Sequence, residues 1–418
     1  MSRPTATLAD AEDAQQAKPI SLKLILILGI LSAYGPITID LYMPALPTIG
    51  REFQTERIGQ TMSIYFLGMA LGQLFMGPLS DKFGRKRPLL FGCALYALAS
   101  LGCALSWSLE SLLTFRFLQA LGGCAGMVLT ISMVRDFFAV KDSAKVLSYL
   151  VLVMGLAPIL APLAGGQLLL YTGWRVIFLV LVGFGLLCFV MVALGLPESL
   201  PQKRRSKNAL SNLASNYRAL LRDVRFMAYA LPANFIGAGF QVYLAGAALV
   251  FIEVYGVAPQ HFGWIFGLNA VGLIAMSQLN AWLLRRYSSD TILNKATFAL
   301  MLVALALLLI AVTGFGGMIG VWVALFFCVG GSGLIRPNAT ARAMAPFPEK
   351  AGSASALLNS LGAGLGALTG YILSLFHTQS AVPMAALLAV CYVVAWLLLL
   401  AFRQTTKRLS VVLEQGGS

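Results

Sequence analysis

The sequence predicts an all-α polytopic membrane protein of twelve transmembrane helices arranged as two six-helix bundles. Three observations carry that prediction. Of 418 residues, 59% are apolar and only 11% are charged, against about 25% charged in ordinary soluble domains, too little polar surface to cover such a chain in water. Apolar runs approaching the roughly 20 residues that a helix needs to cross the hydrocarbon core recur from end to end. The basic residues gather in short segments between alternate runs.

A sliding window of about 19 residues places the spans near 22–46, 59–79, 88–107, 110–134, 146–171, 174–196, 226–252, 262–284, 292–313, 317–336, 351–376 and 382–403. The first 20 residues are polar and of mixed charge. The apolar run after them is too long for a signal-peptide core and is expected to remain as the first helix. With both termini inside, all 30 Lys and Arg except Arg51, Arg57, Arg116 and Arg175 fall on the inner side, as the positive-inside rule requires. The longest polar interruption, 197–225, then separates a first bundle (22–196) from a second (226–403), with tails at 1–21 and 404–418. Two such halves with a site between them are a transporter arrangement. Within the linker, NYRALLRDVRF suits either the anionic inner leaflet or plain solvent. Direct repetition between the halves is faint, a loop-flanking basic pair and little else.

A net charge of +14 would suggest nucleic acid in a soluble protein, but no basic stripe exists here and topology explains the charge. The six Cys all sit inside apolar runs without a CxxC pair, and His261 and His377 stand alone. No disulfide, metal or cofactor is expected. HExxH, GxSxG and GxxxxGK[ST] are absent, so metalloprotease, hydrolase and ATPase chemistry lack their reacting groups, and an ion gradient is the expected energy source. A receptor or scaffold remains a rival class, though no partner-binding domain supports it.

Several polar groups stand inside the apolar runs. Asp40 lies in ITIDLYMPALP between Pro36 and Pro44. Each proline withholds an N–H from the carbonyl four residues earlier, so the first helix is expected to bend where it carries a carboxylate. In LLTFRFLQALGG, the spacing of Arg116, Gln119 and Gly123 puts them on one helical face. A charge that deep is costly and faces a bundle interior or a water-filled cavity, and Asp40 is the expected partner. Burial favours the neutral acid at Asp40, while a nearby Arg116 would favour the carboxylate. In GLAPILAPLAGGQLL, Pro158, Pro162 and Gly166 form one stripe and Ala157, Ala161 and Gly165 the next, suited to bending and close packing. The second half carries amides: Asn234 with Gln241, Asn269 with Asn280, and Asn359 before Gly362 and Gly366. They either line a cavity or tie helices together.

The loop GPLSDKFGRKRP (77–88) resembles the signature loop of the major facilitator superfamily, matching at Gly77, Leu79, Asp81, Gly84, Arg85 and Lys86. RFLQALGG is similar to that superfamily's fourth-helix motif at Arg116 and Gln119, with Ala120 in place of the usual glycine. The fifth span resembles the antiporter motif at Pro162, Gly165 and Gly166, with Ala157 and Ala161 where glycines are usual. Taken with ITIDLYMPALP and GWRVIF (173–178), most of the first half resembles the bicyclomycin-resistance (Bcr/CflA) branch of the drug:proton antiporters. RPNATARAMAPFPEKAGSASALL (336–358) continues the likeness more loosely.

That resemblance implies the major facilitator fold and proton-coupled efflux of drugs or other small amphipathic molecules. The setting it implies is the bacterial inner membrane, by alternating access, in a monomer with lipid around it. Asp40 and Arg116 are the expected proton-coupling pair. Gly77, Asp81, Gly84, Arg85 and Lys86 are the expected latch of the cytoplasmic side. Tyr34, Tyr42, Tyr65, Gln119, Phe235, Phe240, Gln241 and Tyr243 are the expected ligand contacts. Export or import of an endogenous metabolite, an amino acid or a purine, is the alternative on the same fold.

Overall fold

A computed structural model describes residues 22–138, 140–205, 213–376 and 380–415. The expected N-terminal tail, linker residues 206–212, His377 and the last three residues lie outside this description. Twelve described helices are long and apolar enough to cross a membrane. They are α1 (Leu22–Glu52), α2 (Arg57–Phe83), α3 (Lys86–Ala104), α4 (Leu109–Phe137), α5 (Tyr149–Tyr171) and α6 (Trp174–Gly195), then α7 (Val224–Val254), α8 (Pro259–Leu283), α9 (Ser289–Thr313), α10 (Gly317–Met344), α11 (Ala351–Ser374) and α12 (Val382–Phe402).

Four helices depart from the expected outline. The first is broken, running as Leu22–Ser32, Tyr34–Asp40, Met43–Ala45 and Leu46–Glu52. Pro36 and Pro44 supply no amide to the Ser32 and Asp40 carbonyls, and the helix kinks at both places. Near its far end α7 loosens into a π turn at Leu249–Val254. The tenth span was expected to end at 336, yet α10 continues through Pro337 to Met344. A proline removes one donor, which a helix packed among neighbours tolerates. Arg336 therefore lies inside a span and not in a loop. The last helix likewise runs on to Gln415, so the segment expected as a tail from 404 begins as its extension.

Within the first half α4 packs on α2 and α3, and α3 on α6; within the second, α7 packs on α10, α11 and α12, and α9 on α10 and α12. Large apolar side chains such as Leu187, Leu194, Leu309 and Val312 remain exposed on the outer faces, as lipid contact requires.

The halves meet along two antiparallel seams, α2 against α11 and α5 against α8. On the first, Gly59 faces Ser374, Gly370 faces Ser63, and the Ser360 hydroxyl donates to the Ala70 carbonyl at 2.7 Å. On the second, Gly166 faces Pro259, Gly263 faces Leu163 and Gly267 faces Ile159. Small residues let the backbones approach closely. Both seams begin at the end away from the basic loops; α5/α8 extends to Gly155, which faces Ile274, whereas α2/α11 stops short of the basic end. There Gly77 and Gly352 face open space, with no atom within 4 Å of where a Cβ would stand. The linker helix Leu213–Arg222 sits at that end, where the Tyr217 hydroxyl donates to the Leu74 carbonyl at 2.9 Å and Leu220 packs with Phe226, Leu357 and Leu358.

Candidate functional site

Asp40 closes the middle segment of the broken α1 and is 3% exposed. Its carboxyl forms no hydrogen bond or ion pair among the described residues. Tyr65 of the first bundle and Tyr243 of the second both lie within its electrostatic reach. The adjacent Leu41 carbonyl points at Gly165 of α5, where any side chain would collide with it. Next along α5, Gly166 meets the Pro259 carbonyl of α8, with 2.6 Å left for a Cβ. The two glycines thus hold α5 against the break in α1 on one side and against the other half on the other. Pro158 and Pro162 sit inside one continuous helix, Val140–Tyr171.

Arg116 is fully buried and has different company. One guanidinium nitrogen donates to Gln119 Oε1 at 2.8 Å and another approaches the Met62 sulfur at 3.8 Å. Its carbon stands 4.4 Å from the Tyr42 ring centroid and 4.5 Å from that of Tyr65, with Phe178 at 5.9 Å. Aromatic faces take the place of a counter-carboxylate. The expected Asp40–Arg116 ion pair is therefore absent from this conformation. Tyr42 faces Arg116, and Asp40, two residues earlier and so about 200° around a helix, faces away from it.

Several expected ligand contacts are instead interior parts of the first bundle. Tyr34 packs edge-on against Tyr96 and Phe184, at 4.6 and 5.0 Å between centroids. The Tyr42 hydroxyl donates to Thr61 at 2.8 Å, and Gln119 donates to Ser100 at 2.8 Å. None of these side chains has surface left for a ligand, and Gly123 and Gly126 of α4 let the Tyr34 ring pack close. Tyr65 is equally buried, beneath the Arg116 guanidinium. In the second bundle Tyr243 stacks on Phe266 at 5.5 Å and accepts from Asn269 at 2.9 Å. Phe235, Phe240 and Gln241 are partly open. Gln241 fills the space over Gly366, and its Oε1 is buried without a partner.

At the basic end the loop after α2 is held within its own half. Asp81 pairs with Arg85 at 2.6 Å, and Arg85 also reaches Asp136 at 3.2 Å and Ser80 at 2.5 Å. Glu198 accepts the backbone N–H groups of Arg85 and Lys86 at 2.8 and 3.3 Å, satisfying free donors at the start of α3. Lys86 donates to the Ala193 carbonyl at 2.9 Å. Gly84 has φ +90°, and a Cβ there would strike Glu198 and Arg205. Only glycine suits both demands. Asp136, Glu198 and Arg205 escaped the sequence motif; the signal was an acid at the head of the linker facing a basic loop.

The Major Facilitator Superfamily profile matches residues 26–371. The chain belongs to the major facilitator superfamily. It is 34% identical to the uncharacterized MFS-type transporter YdgK of Bacillus subtilis over 89% of this chain and 93% of the relative. It is 32% identical to the bicyclomycin resistance protein homolog of Haemophilus influenzae over 89% and 94%. Those relatives place it with the bicyclomycin-resistance branch. Among solved structures the D-xylose-proton symporter superposes with a TM-score of 0.71 at 14% identity, covering 91% of this chain and 97% of the symporter. At that identity the likeness shows the fold alone. The superfamily moves small molecules across membranes, and the chain is a multi-pass transporter.

Proposed function

We propose that this transporter exports small amphipathic molecules, drugs among them, across a bacterial inner membrane in exchange for protons, with both termini in the cytoplasm. The observation that carries the proposal is Asp40: a carboxyl buried at a helix break, without a partner, where the two halves meet. An isolated carboxylate at that depth is costly, and taking up a proton removes the charge. Relatives named for bicyclomycin and multidrug resistance support the substrate class.

The positive-inside rule makes the basic end cytoplasmic. The α2/α11 seam is then closed at the periplasmic side and parted at the cytoplasmic side, as in an inward-open arrangement. Rocking of the halves about α5/α8 and α2/α11 would expose Asp40 to the other side. The loop Gly77–Lys86, at present bound within its own half, is free to latch onto α11 when the cytoplasmic side closes.

In everted vesicles that hold an inward proton gradient, adding a transported drug should release protons for the wild type and none for Asp40→Asn, while drug binding persists. Proton release by Asp40→Asn equal to wild type would remove Asp40 from the mechanism.

A further inference from the structure

Arg336 is a deep cation, like Arg116, but in a different setting. Because α10 runs on through Pro337, the side chain leaves the helix about 12 Å from its cytoplasmic end, at 1.5 Å per residue. Protein surrounds it, yet it is exposed to solvent, as a group lining a wet cavity between helices would be. Other arginines of comparable depth or proximity have partners: Arg116 has Gln119 and three rings, although its Nε is unpaired, and Arg342 has Asp290 at 2.7 Å. Arg336 has no hydrogen bond, ion pair or ring contact among the described residues. Its Nε lies 4.0 Å from where a Cβ on Gly237 of α7 would stand, and nothing else comes within that distance. Gly237, itself buried, thus lets the guanidinium lie beside the α7 backbone. Asn234 and Gln241 share that face of α7 by their spacing of three and four residues, and each has a buried amide atom without a partner, Nδ2 and Oε1.

An unpaired guanidinium inside a membrane span is costly and marks a substrate or ion path. Its planar donors fit a carboxylate through two parallel bonds, which a lysine cannot reproduce. We propose that Arg336, beside Gly237 and on the α7 face that carries the Asn234 amide, is an anion-recognising subsite and that the exported molecules include amphipathic carboxylates. This rests on the export reading and adds a substrate class to it. It also gives the cavity opposite polarity on its two walls, a titratable acid on the first bundle and a fixed cation on the second.

The test uses the purified full chain and a matched pair of ligands, an amphipathic aryl carboxylic acid and its methyl ester, with binding read from tryptophan fluorescence at pH 7. Wild type should bind the acid about tenfold more tightly or better, and Arg336→Gln should bring the acid down to the ester's affinity while leaving the ester unchanged. No preference for the acid in wild type, or a preference that survives in Arg336→Gln, overturns the assignment. If Arg336→Gln does not insert, Arg336→Lys answers the same question: the preference should fall at least about threefold as bidentate pairing is lost, and an unchanged preference counts against the subsite. Proton exchange in everted vesicles is measured with the same two compounds. A binding preference without exchange for either would fail the export reading and leave the subsite standing.

Discussion

At the scale of single residues, Arg116 shows how a buried charge can be held without an opposite one. Arg116 is stabilised by two close aromatic faces and the Gln119 amide, at about 0.5–2 kcal/mol for each desolvated cation–π contact. Asp40 has none of these. Two charges that do not touch should contribute independently. Unfolding measured for Asp40→Asn, Arg116→Met and the double variant is thus expected to show a coupling below about 0.5 kcal/mol. A coupling of several kcal/mol would mean that the pair forms in the molecule's dominant state. Tyr65 lies against Arg116 and within electrostatic reach of Asp40, and so stands between the two.

At the scale of elements, the helices divide into those whose breaks follow from local chemistry and those whose breaks do not. The kinks of α1 fall where two prolines withhold amides. Nothing in LVFIEV announces the π turn of α7, which arises where that helix end packs against the end of α1. The start of α7 is capped by Asp223, which accepts from the Arg225 N–H at 2.8 Å. Asp223→Ala should cost about 1 kcal/mol, as loss of an N-cap does, with the exposed ion pair to Arg225 adding little. Its hydrogen bond to the Arg225 side chain, helped by the capped N–H, holds the Asp223 carboxyl below the usual carboxylate range. A lowered value in the folded state adds stability above the unfolded value near about 3.9 and loses it as pH falls through the folded value. The deficit of Asp223→Ala, read from thermal midpoints, should therefore be equal at pH 5 and pH 8 and shrink only in strong acid.

At the scale of the whole molecule, function depends on which ends of the two seams are closed. A Cβ on Gly59 would stand 3.5 Å from the Ser374 Cβ across α2 and α11, within the range that a disulfide spans. Gly59→Cys with Ser374→Cys should crosslink under mild oxidation, hold the periplasmic side shut and stop transport, with recovery on reduction. Undiminished transport by the crosslinked protein would show that this seam does not open. The native cysteines are all free and buried, so they should not compete.

The twelve spans, their boundaries to within a few residues for most, and the basic end were legible from sequence, because hydropathy and charge act on each helix alone against lipid and water. The motif loop and the prolines of α1 were legible for the same local reason. Which buried residues meet was not. Opposite charge points Asp40 to Arg116, but two residues of helical rotation send Tyr42 to the arginine and the acid toward the second bundle. The expected tenth span ends at Arg336, because Pro337 ends a helix in water, but it does not end one packed among neighbours. Sequence determined which segments cross the membrane and that they carry charges; the tertiary structure alone decided which charges are paired, because pairing depends on rotation and depth across helices far apart in the chain.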